Sequence, residues 1–192
     1  FESPTDVGAN NVYDVIVQVS DGALTDTQAI SVTVTPVADN APVITSDGGG
    51  AAASVNIAEN TTAVTTVTAT DADLPAQTLT YSIIGGADAA RFTIDANSGV
   101  LSFVSAPDFE APSDAGADNV YDVTVQVADG SGGFDTQAIA VTVTAVNDNA
   151  PIITSNGGGA SASVNVAENS TAVTSVTALD ADLPAQALTY SI

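Results

Sequence analysis

Carboxylate side chains recur in this sequence at a fixed spacing. Glu59 and Glu168 stand in the same phrase, Ser-Val-Asn-(Ile/Val)-Ala-Glu-Asn, and lie 109 residues apart. The Asp-Ala-Asp triplets at 71–73 and 180–182 are separated by the same offset. Oxygen ligands gathered from several loops suit Ca²⁺, which takes about six to eight flexible contacts, whereas Mg²⁺ keeps more water. Transition metals favour histidine or cysteine, and the chain has neither. The repeated acids therefore indicate calcium chemistry at repeated places.

The composition narrows the classes of partner. The net charge is −22, and Arg91 is the only cationic side chain. Nucleic acid is excluded because phosphate binding needs lysine and arginine, and direct membrane insertion is not expected because no apolar span is visible. The 45% content of hydrophobic residues argues against a disordered acidic tail. A compact fold with this charge repels itself unless cations neutralise it.

The 109-residue offset has the length of one small all-β domain and is too long for a solenoid repeat. We therefore expect three pieces. Residues 1–41 are the C-terminal part of a repeat, 42–150 a complete repeat, and 151–192 the N-terminal part of the next one. Both ends fall in mid-phrase, so we interpret the sequence as a window of a longer chain.

Strand signals fill the complete repeat. Apolar residues alternate with polar ones from Tyr121 to Val127 and from Ile139 to Val143. Shorter runs of the same kind lie at 54–57, 64–69, 79–83, 92–94 and 100–104. About seven short strands separated by Gly, Pro, Asp and Asn turns predict an all-β fold, a seven-stranded Greek-key β-sandwich in tandem repeats.

The strand directions place the acids at two poles of this sandwich. Glu59, the triplet 108–110 and the triplet 147–149 can meet where the chain leaves the repeat. The triplet 71–73 and Asp129 follow strands that run the other way, so they can gather where the chain enters. The interpretation of each acid as a plain solvated surface group stays open at this point, and Asp129-Gly130 also suits a simple turn.

Taken together, these phrases resemble the cadherin repeat family. The family's base glutamate, Asp-x-Glu, Asp-x-Asp and Asp-Gly turn match Ala58-Glu59-Asn60, Asp108-Phe109-Glu110, Asp71-Ala72-Asp73 and Ala128-Asp129-Gly130. Its Asp-rich linker matches Ala145-Val146-Asn147-Asp148-Asn149-Ala150-Pro151, and its Phe-x-Ile-Asp…Gly-x-Leu stretch matches the residues from Phe92 to Leu101. The resemblance covers the complete repeat and both flanking pieces.

The resemblance implies Ca²⁺ bound at each junction between consecutive repeats. At the second junction, between 42–150 and 151–192, the implied ligands are Glu59, Asp108, Glu110, Asn147, Asp148, Asn149, Asp180 and Asp182. At the first junction, between 1–41 and 42–150, they are Glu2, Asp39, Asn40, Asp71, Asp73 and Asp129.

The sequence also departs from the family pattern. Ala145 replaces the first linker aspartate, and at the first junction Pro36 and Ala38 stand at ligand positions. Fewer carboxylates should weaken or empty one of the sites, so the first junction is predicted to bind less well than the second.

The leading hypothesis is a calcium-rigidified structural spacer of an extracellular adhesin or surface filament, most plausibly bacterial. Its partners are the neighbouring repeats of the same chain. The alternative is homophilic adhesion or fibre assembly, in which like chains or another cell surface bind through the domain faces. That role would need an exposed apolar patch or an anchoring aromatic residue, and the aromatic residues fall mostly on core-facing positions.

An enzyme is a third possibility, for example a glycosidase that uses Glu59 and Glu110. Glycoside hydrolysis needs two carboxylates that flank a carbohydrate cleft, usually with aromatic platforms. The chain has no tryptophan and no histidine, and it shows no signature of such a cleft. We therefore predict that the protein is not an enzyme.

Overall fold

The computed structural model describes all 192 residues as strands, short 3₁₀ turns and loops. In chain order the strands are β1 (Val12–Ser20), β2 (Thr25–Thr33), β3 (Val43–Ile44), β4 (Ala52–Ala58), β5 (Ala63–Thr66), β6 (Ala69–Thr70), β7 (Thr80–Gly85), β8 (Phe92–Ile94), β9 (Val100–Phe103), β10 (Val120–Ala128), β11 (Phe134–Thr144), β12 (Ile152–Ile153) and β13 (Ala178–Leu179). The 3₁₀ turns span Ser46–Gly48, Ala89–Arg91 and Ser155–Gly157. No helix has the length and hydrophobicity needed to cross a membrane.

The central repeat is a sandwich of two sheets. One sheet has the order β4-β11-β10-β7, in which β4 runs parallel to β11 and the other neighbours are antiparallel. The opposite layer contains β5-β9-β8 and the short pair β3-β6. This arrangement confirms the predicted all-β sandwich class.

Alternation along the strands builds the core, because every second side chain of a strand faces the opposite sheet. On β10 the residues from Tyr121 to Val127 alternate between buried and partly exposed positions, and β11 shows the same pattern. The ring of Tyr121 lies edge-on to two phenylalanines of the other layer, with ring centroids 5.0 Å from Phe103 and 6.5 Å from Phe92. The two phenylalanine rings stack on each other at 4.4 Å.

The structure corrects two details of the predicted strands. The repeat opens with β3, which the sequence pattern missed because two apolar residues between Pro42 and Thr45 are too few to show alternation. The predicted run 64–69 is also interrupted, since the chain changes partner there: β5 pairs with β9, whereas β6 pairs with β3. The interrupted strands raise the number of segments in the central repeat to nine.

The segment before the central repeat forms the same strand pairing without the opposite sheet. The β1-β2 hairpin pairs Val12 with Thr33 through to Ser20 with Thr25, as β10 and β11 pair in the central repeat. Val15 is nevertheless 48% exposed, whereas Val123, its equivalent on β10, is 1% exposed. The strand sequence thus directs the hairpin, and the opposite sheet supplies the burial.

Candidate metal centres

The second junction contains two groups of three carboxylates that share one residue. The ligand oxygens of Glu59, Asp108 and Glu110 lie within 4.8 Å of one another, and so do those of Glu110, Asp148 and Asp182. The first group lies at the exit pole of the central repeat. The second group joins that repeat, the linker and the following repeat, so Glu110 connects both sides of the junction.

Glu59 is fixed in place by the ends of two parallel strands. It follows β4 directly, and its backbone N–H donates to the carbonyl of Thr144 at the end of β11, at 3.0 Å. Its two carboxylate oxygens accept the backbone N–H groups of Val146 at 2.7 Å and of Phe109 at 2.8 Å. The side chain is only 3% exposed. Glu59 therefore ties the linker and the Asp-x-Glu loop to the same pole.

The two acids of the Asp-x-Glu loop accept hydrogen bonds from different segments. Asp108 uses one oxygen, Oδ1, to accept the backbone N–H groups of Glu110 and Ala111, which closes the turn. Glu110 reaches across the junction, where its Oε1 accepts the backbone N–H of Leu183 at 3.0 Å. This contact joins the central repeat to the next repeat directly.

Asp182 is the buried acid on the far side of the second junction, at 1% exposure. Its Oδ1 accepts the backbone N–H of Asn149 at 3.0 Å and the side-chain amide of Asn149 at 2.9 Å. Burial raises the pKa of Asp182, but these amide donors outweigh it and hold the pKa below its usual value. The carboxylate is therefore ionised and oriented toward the linker.

The first junction repeats this arrangement with a smaller set of acids. Asp71, Asp73 and Asp129 bring their ligand oxygens within 4.8 Å of one another. The side-chain amide of Asn40 is the largest cause of the lowered pKa of Asp73, against the opposing effect of burial. Asp129 accepts the backbone N–H groups of the turn that follows it, up to Gly133. Asp129 thus closes the Asp-Gly turn and also belongs to the acidic cluster.

Two buried carboxylate oxygens at the first junction indicate whether its residues suit a cation. Oε1 of Glu2 and Oδ2 of Asp71 are buried, and neither has a hydrogen-bond donor. Buried polar atoms are nearly always paired, so oxygens left open beside other carboxylates suit a hard divalent cation that takes oxygen ligands. The residues of both junctions fit Ca²⁺ by ligand type, with neither histidine nor cysteine among them.

The remaining predicted ligands lie in the linkers or beside the clusters. Asn40 and Asn149 donate to Asp73 and Asp182 across their junctions. Asp39 accepts only the amide of Asn40, and Asp180 accepts the backbone N–H of Asp182. Neither residue belongs to a cluster of three acids. Asn147 directs its amide N–H to the next repeat. The assignment of individual ligands remains a prediction.

Three amide side chains at the junctions were missed from the sequence. Asn60, which adopts a left-handed backbone conformation with φ of 63°, donates to Asp148 at 2.5 Å. Gln77 and Gln186 each stand four residues after the second acid of an Asp-Ala-Asp triplet and donate to it. The recurrence of glutamine at that position in both copies is the signal that could have revealed it.

The fold and these clusters define a class of protein: a β-sandwich domain with acidic clusters at both ends, where it meets the segments before and after it. A profile of the cadherin domain matches residues 53–146, and the central repeat of this chain belongs to the cadherin family. The chain is 31% identical to Protocadherin Fat 1 from Homo sapiens over 159 residues, which cover 79% of this chain and 3% of that protein.

Solved structures agree with this assignment. The chain superposes on the extracellular cadherin domains 3–6 of Protocadherin Gamma B2 with a TM-score of 0.61 and 27% identity, over 92% of this chain and 44% of that one. It matches the structure described as the Protocadherin gammaB7 EC3-6 cis-dimer with a TM-score of 0.60 and 27% identity, over the same shares. The chain thus spans less than half the length of each of these three matches.

Family membership settles three predictions made from the sequence. The cadherin resemblance is confirmed, and the chain is an extracellular repeat module of the adhesion type. Cadherin domains are adhesion modules and not enzymes, which confirms that the chain is not an enzyme. Glu59 and Glu110, the two carboxylates considered for catalysis, lie in one cluster with Asp108.

Proposed function

We propose that this chain is a calcium-rigidified structural spacer of an extracellular adhesin or surface filament. The observation that carries the proposal is the cluster of Glu110, Asp148 and Asp182, whose acids come from one repeat, the linker and the next repeat. Like charges at this distance repel, so the junction is less stable until their charge is neutralised. Bound Ca²⁺ supplies that positive charge and takes oxygens from both sides.

The residues of the junction have separate roles in this proposal. Glu59 holds the linker and the Asp-x-Glu loop together through two backbone N–H groups. Glu110 and Asp182 provide oxygens from opposite sides, and Asn149 keeps Asp182 ionised and facing the linker. Extracellular modules bind Ca²⁺ with dissociation constants of about 10⁻⁴ to 10⁻³ M, so the rod stiffens outside the cell.

Small-angle X-ray scattering of the full chain tests this function. We expect the maximum dimension to become longer and more uniform when Ca²⁺ replaces a chelator. Asp182→Asn should require more Ca²⁺ for the same change, because it removes one negative ligand from the shared cluster. Asp95→Asn is the matched control, since Asp95 binds only the backbone and hydroxyl groups of its own turn. An identical length with Ca²⁺ and with chelator would show that the proposed stiffening is wrong.

Association between like chains is the second candidate function. One similar structure is described as a cis-dimer. Most aromatic residues of the central repeat lie in the core or pack against it, but Phe134 is 58% exposed. A concentration series in the same scattering experiment tests this candidate. Phe134→Ser should abolish any concentration-dependent increase in mass, and a mass that does not change with concentration argues against the candidate.

A further inference from the structure

The linkers of the two junctions differ at one position that contacts the next repeat. Asn147 in the second linker corresponds to Ala38 in the first, 109 residues earlier. The side-chain Nδ2–H of Asn147 donates to Oε1 of Gln186 at 2.6 Å. Because Gln186 belongs to the following repeat, this hydrogen bond joins two repeats through neutral side chains. We refer to the pair as the Asn147–Gln186 clasp.

The clasp continues into the buried acid of the next repeat. The other end of Gln186, Nε2–H, donates to Oδ2 of Asp182 at 3.2 Å. The second oxygen of Asp182, Oδ1, accepts the amide of Asn149 at 2.9 Å. Two linker asparagines therefore reach the same carboxylate, one directly and one through Gln186. None of these hydrogen bonds needs a metal ion.

The first junction has all of this arrangement except the clasp. Gln77 donates to Oδ2 of Asp73 at 2.9 Å, and Asn40 donates to Oδ1 at 2.6 Å, as at the second junction. The methyl group of Ala38 has no N–H to donate. Oε1 of Gln77 instead accepts a long hydrogen bond of 3.3 Å from the hydroxyl of Ser131, within its own repeat.

We propose that the Asn147–Gln186 clasp is a metal-independent contact that restrains the second junction, and that the first junction lacks it because residue 38 is alanine. Gln186 acts as a positioning residue, since it links the linker to Asp182. The two junctions accordingly behave differently when cations are removed. The second keeps a restrained angle, and the first pivots. This inference concerns the chain without bound ions, so it stands apart from the proposed calcium function.

Spin-label distance measurements on the full chain test the clasp. The chain contains no cysteine, so introduced pairs are labelled without interference. The pair Thr93→Cys and Ile152→Cys spans the second junction, and the pair Thr27→Cys and Thr93→Cys spans the first. In chelator we expect a narrow distance distribution across the second junction and a broad one across the first.

Substitutions at residues 147 and 38 should exchange the widths of the two distance distributions in chelator. Asn147→Ala should broaden the distribution at the second junction, with the ratio of closed to open conformers falling about threefold, typical of one lost hydrogen bond. Asn147→Asp should do the same in chelator, because it keeps an oxygen that can ligate metal but has no N–H to donate. Ala38→Asn should narrow the distribution at the first junction, a gain that misfolding cannot produce.

The outcomes distinguish the clasp from the calcium function. If Asn147→Ala and Ala38→Asn leave both distributions unchanged in chelator, the clasp does not restrain the junctions and the inference is overturned. If Ca²⁺ fails to narrow the distribution of Asn147→Asp while the other results hold, the calcium function fails and the clasp stands. Gln186→Met should broaden the second junction like Asn147→Ala, and native width in that variant would also contradict the clasp.

Discussion

Buried carboxylates of this chain are held by neutral donors, because the sequence has a single cationic side chain. Glu59 accepts two backbone N–H groups, and Asp182 accepts the backbone and amide of Asn149. For Asp182 these donors outweigh the effect of burial and lower the pKa, so its carboxylate stays ionised. The protein can thus place negative charges together at its junctions before any cation arrives.

Asp114 illustrates the same chemistry away from the junctions and gives a prediction for pH. Its carboxylate accepts the backbone N–H groups of Asp118 at 3.0 Å and Asn119 at 3.1 Å. Burial raises the pKa of Asp114, but these backbone donors outweigh it, so the pKa lies below its usual value. The resulting stabilisation is complete above the unfolded pKa of about 4 and is lost as the pH falls through the folded pKa.

Asp114→Ala should therefore lower the free energy of unfolding by about 1 to 3 kcal/mol at neutral pH. The difference from the native chain should shrink as the pH falls from the unfolded pKa of about 4 through the lower folded pKa, because the stabilising charged form is then lost. Urea unfolding at pH 7 and at pH 3 measures both effects. Asp122→Ala is the control, because the side chain of Asp122 is exposed and makes no hydrogen bond. An equal loss at both pH values would contradict this role of the charge.

Residue types at the junctions could be predicted from the sequence, but their contacts could not. The spacing of Glu59, Asp108 and Glu110 followed from a repeated phrase and a family resemblance. The roles of Asn60 and Gln186 depend on which loop lies across the junction. An amide in a loop looks the same in a sequence whether it faces water or a carboxylate, so only the packing of two repeats reveals its partner.

At the scale of strands and turns, the β10-β11 turn connects the sandwich to the first linker. A Cβ atom at Gly133 would lie 2.3 Å from Oδ2 of Asp129, 2.9 Å from the Cα of Ala41 and 3.1 Å from the carbonyl oxygen of Asn40. The obstacle is the linker backbone, which cannot rotate away as a long side chain could. Glycine at this position therefore lets the linker approach the acidic cluster of Asp129.

Gly133→Ala should displace the linker and lower the free energy of unfolding by about 1 to 3 kcal/mol, typical of overpacking. It should also weaken Ca²⁺ binding at the first junction, because Asn40 would move away from Asp73. Gly85→Ala is the matched control, since a Cβ there meets no atom within 4 Å. Thermal unfolding and calorimetric Ca²⁺ titration measure the two effects. Native values for Gly133→Ala would show that the linker is free to shift.

Strands with sustained alternation were predicted well, and interrupted strands were not. The pattern of β10 and β11 is long enough to define its period and its buried face. β3 has two residues, and the break between β5 and β6 arises where the chain stops pairing with β9 and begins to pair with β3. Such breaks are decided by contacts between strands that are distant in sequence, and local alternation does not record them.

At the scale of the whole molecule, the net charge of −22 predicts a strong dependence of stability on salt. In chelator, the midpoint of thermal unfolding should rise as NaCl increases, because salt screens the repulsion between carboxylates. The rise should be smaller with Ca²⁺ present, since the junction charges are then already neutralised. Tetramethylammonium chloride is the control that separates screening from Na⁺ binding at the carboxylates. A midpoint that does not vary with either salt would contradict this account.

The parallel pairing of β4 with β11 has a mechanical consequence for a chain under tension. The chain enters the central repeat ahead of β4 and leaves it after β11, and the two strands pair from Ala52–Ala138 to Ala58–Thr144. A pull on the two ends drives these strands past each other along their length. All the hydrogen bonds of the ladder then share the load and must break together, whereas a peeled hairpin would lose them one at a time. The central repeat is consequently built to resist extension along this ladder.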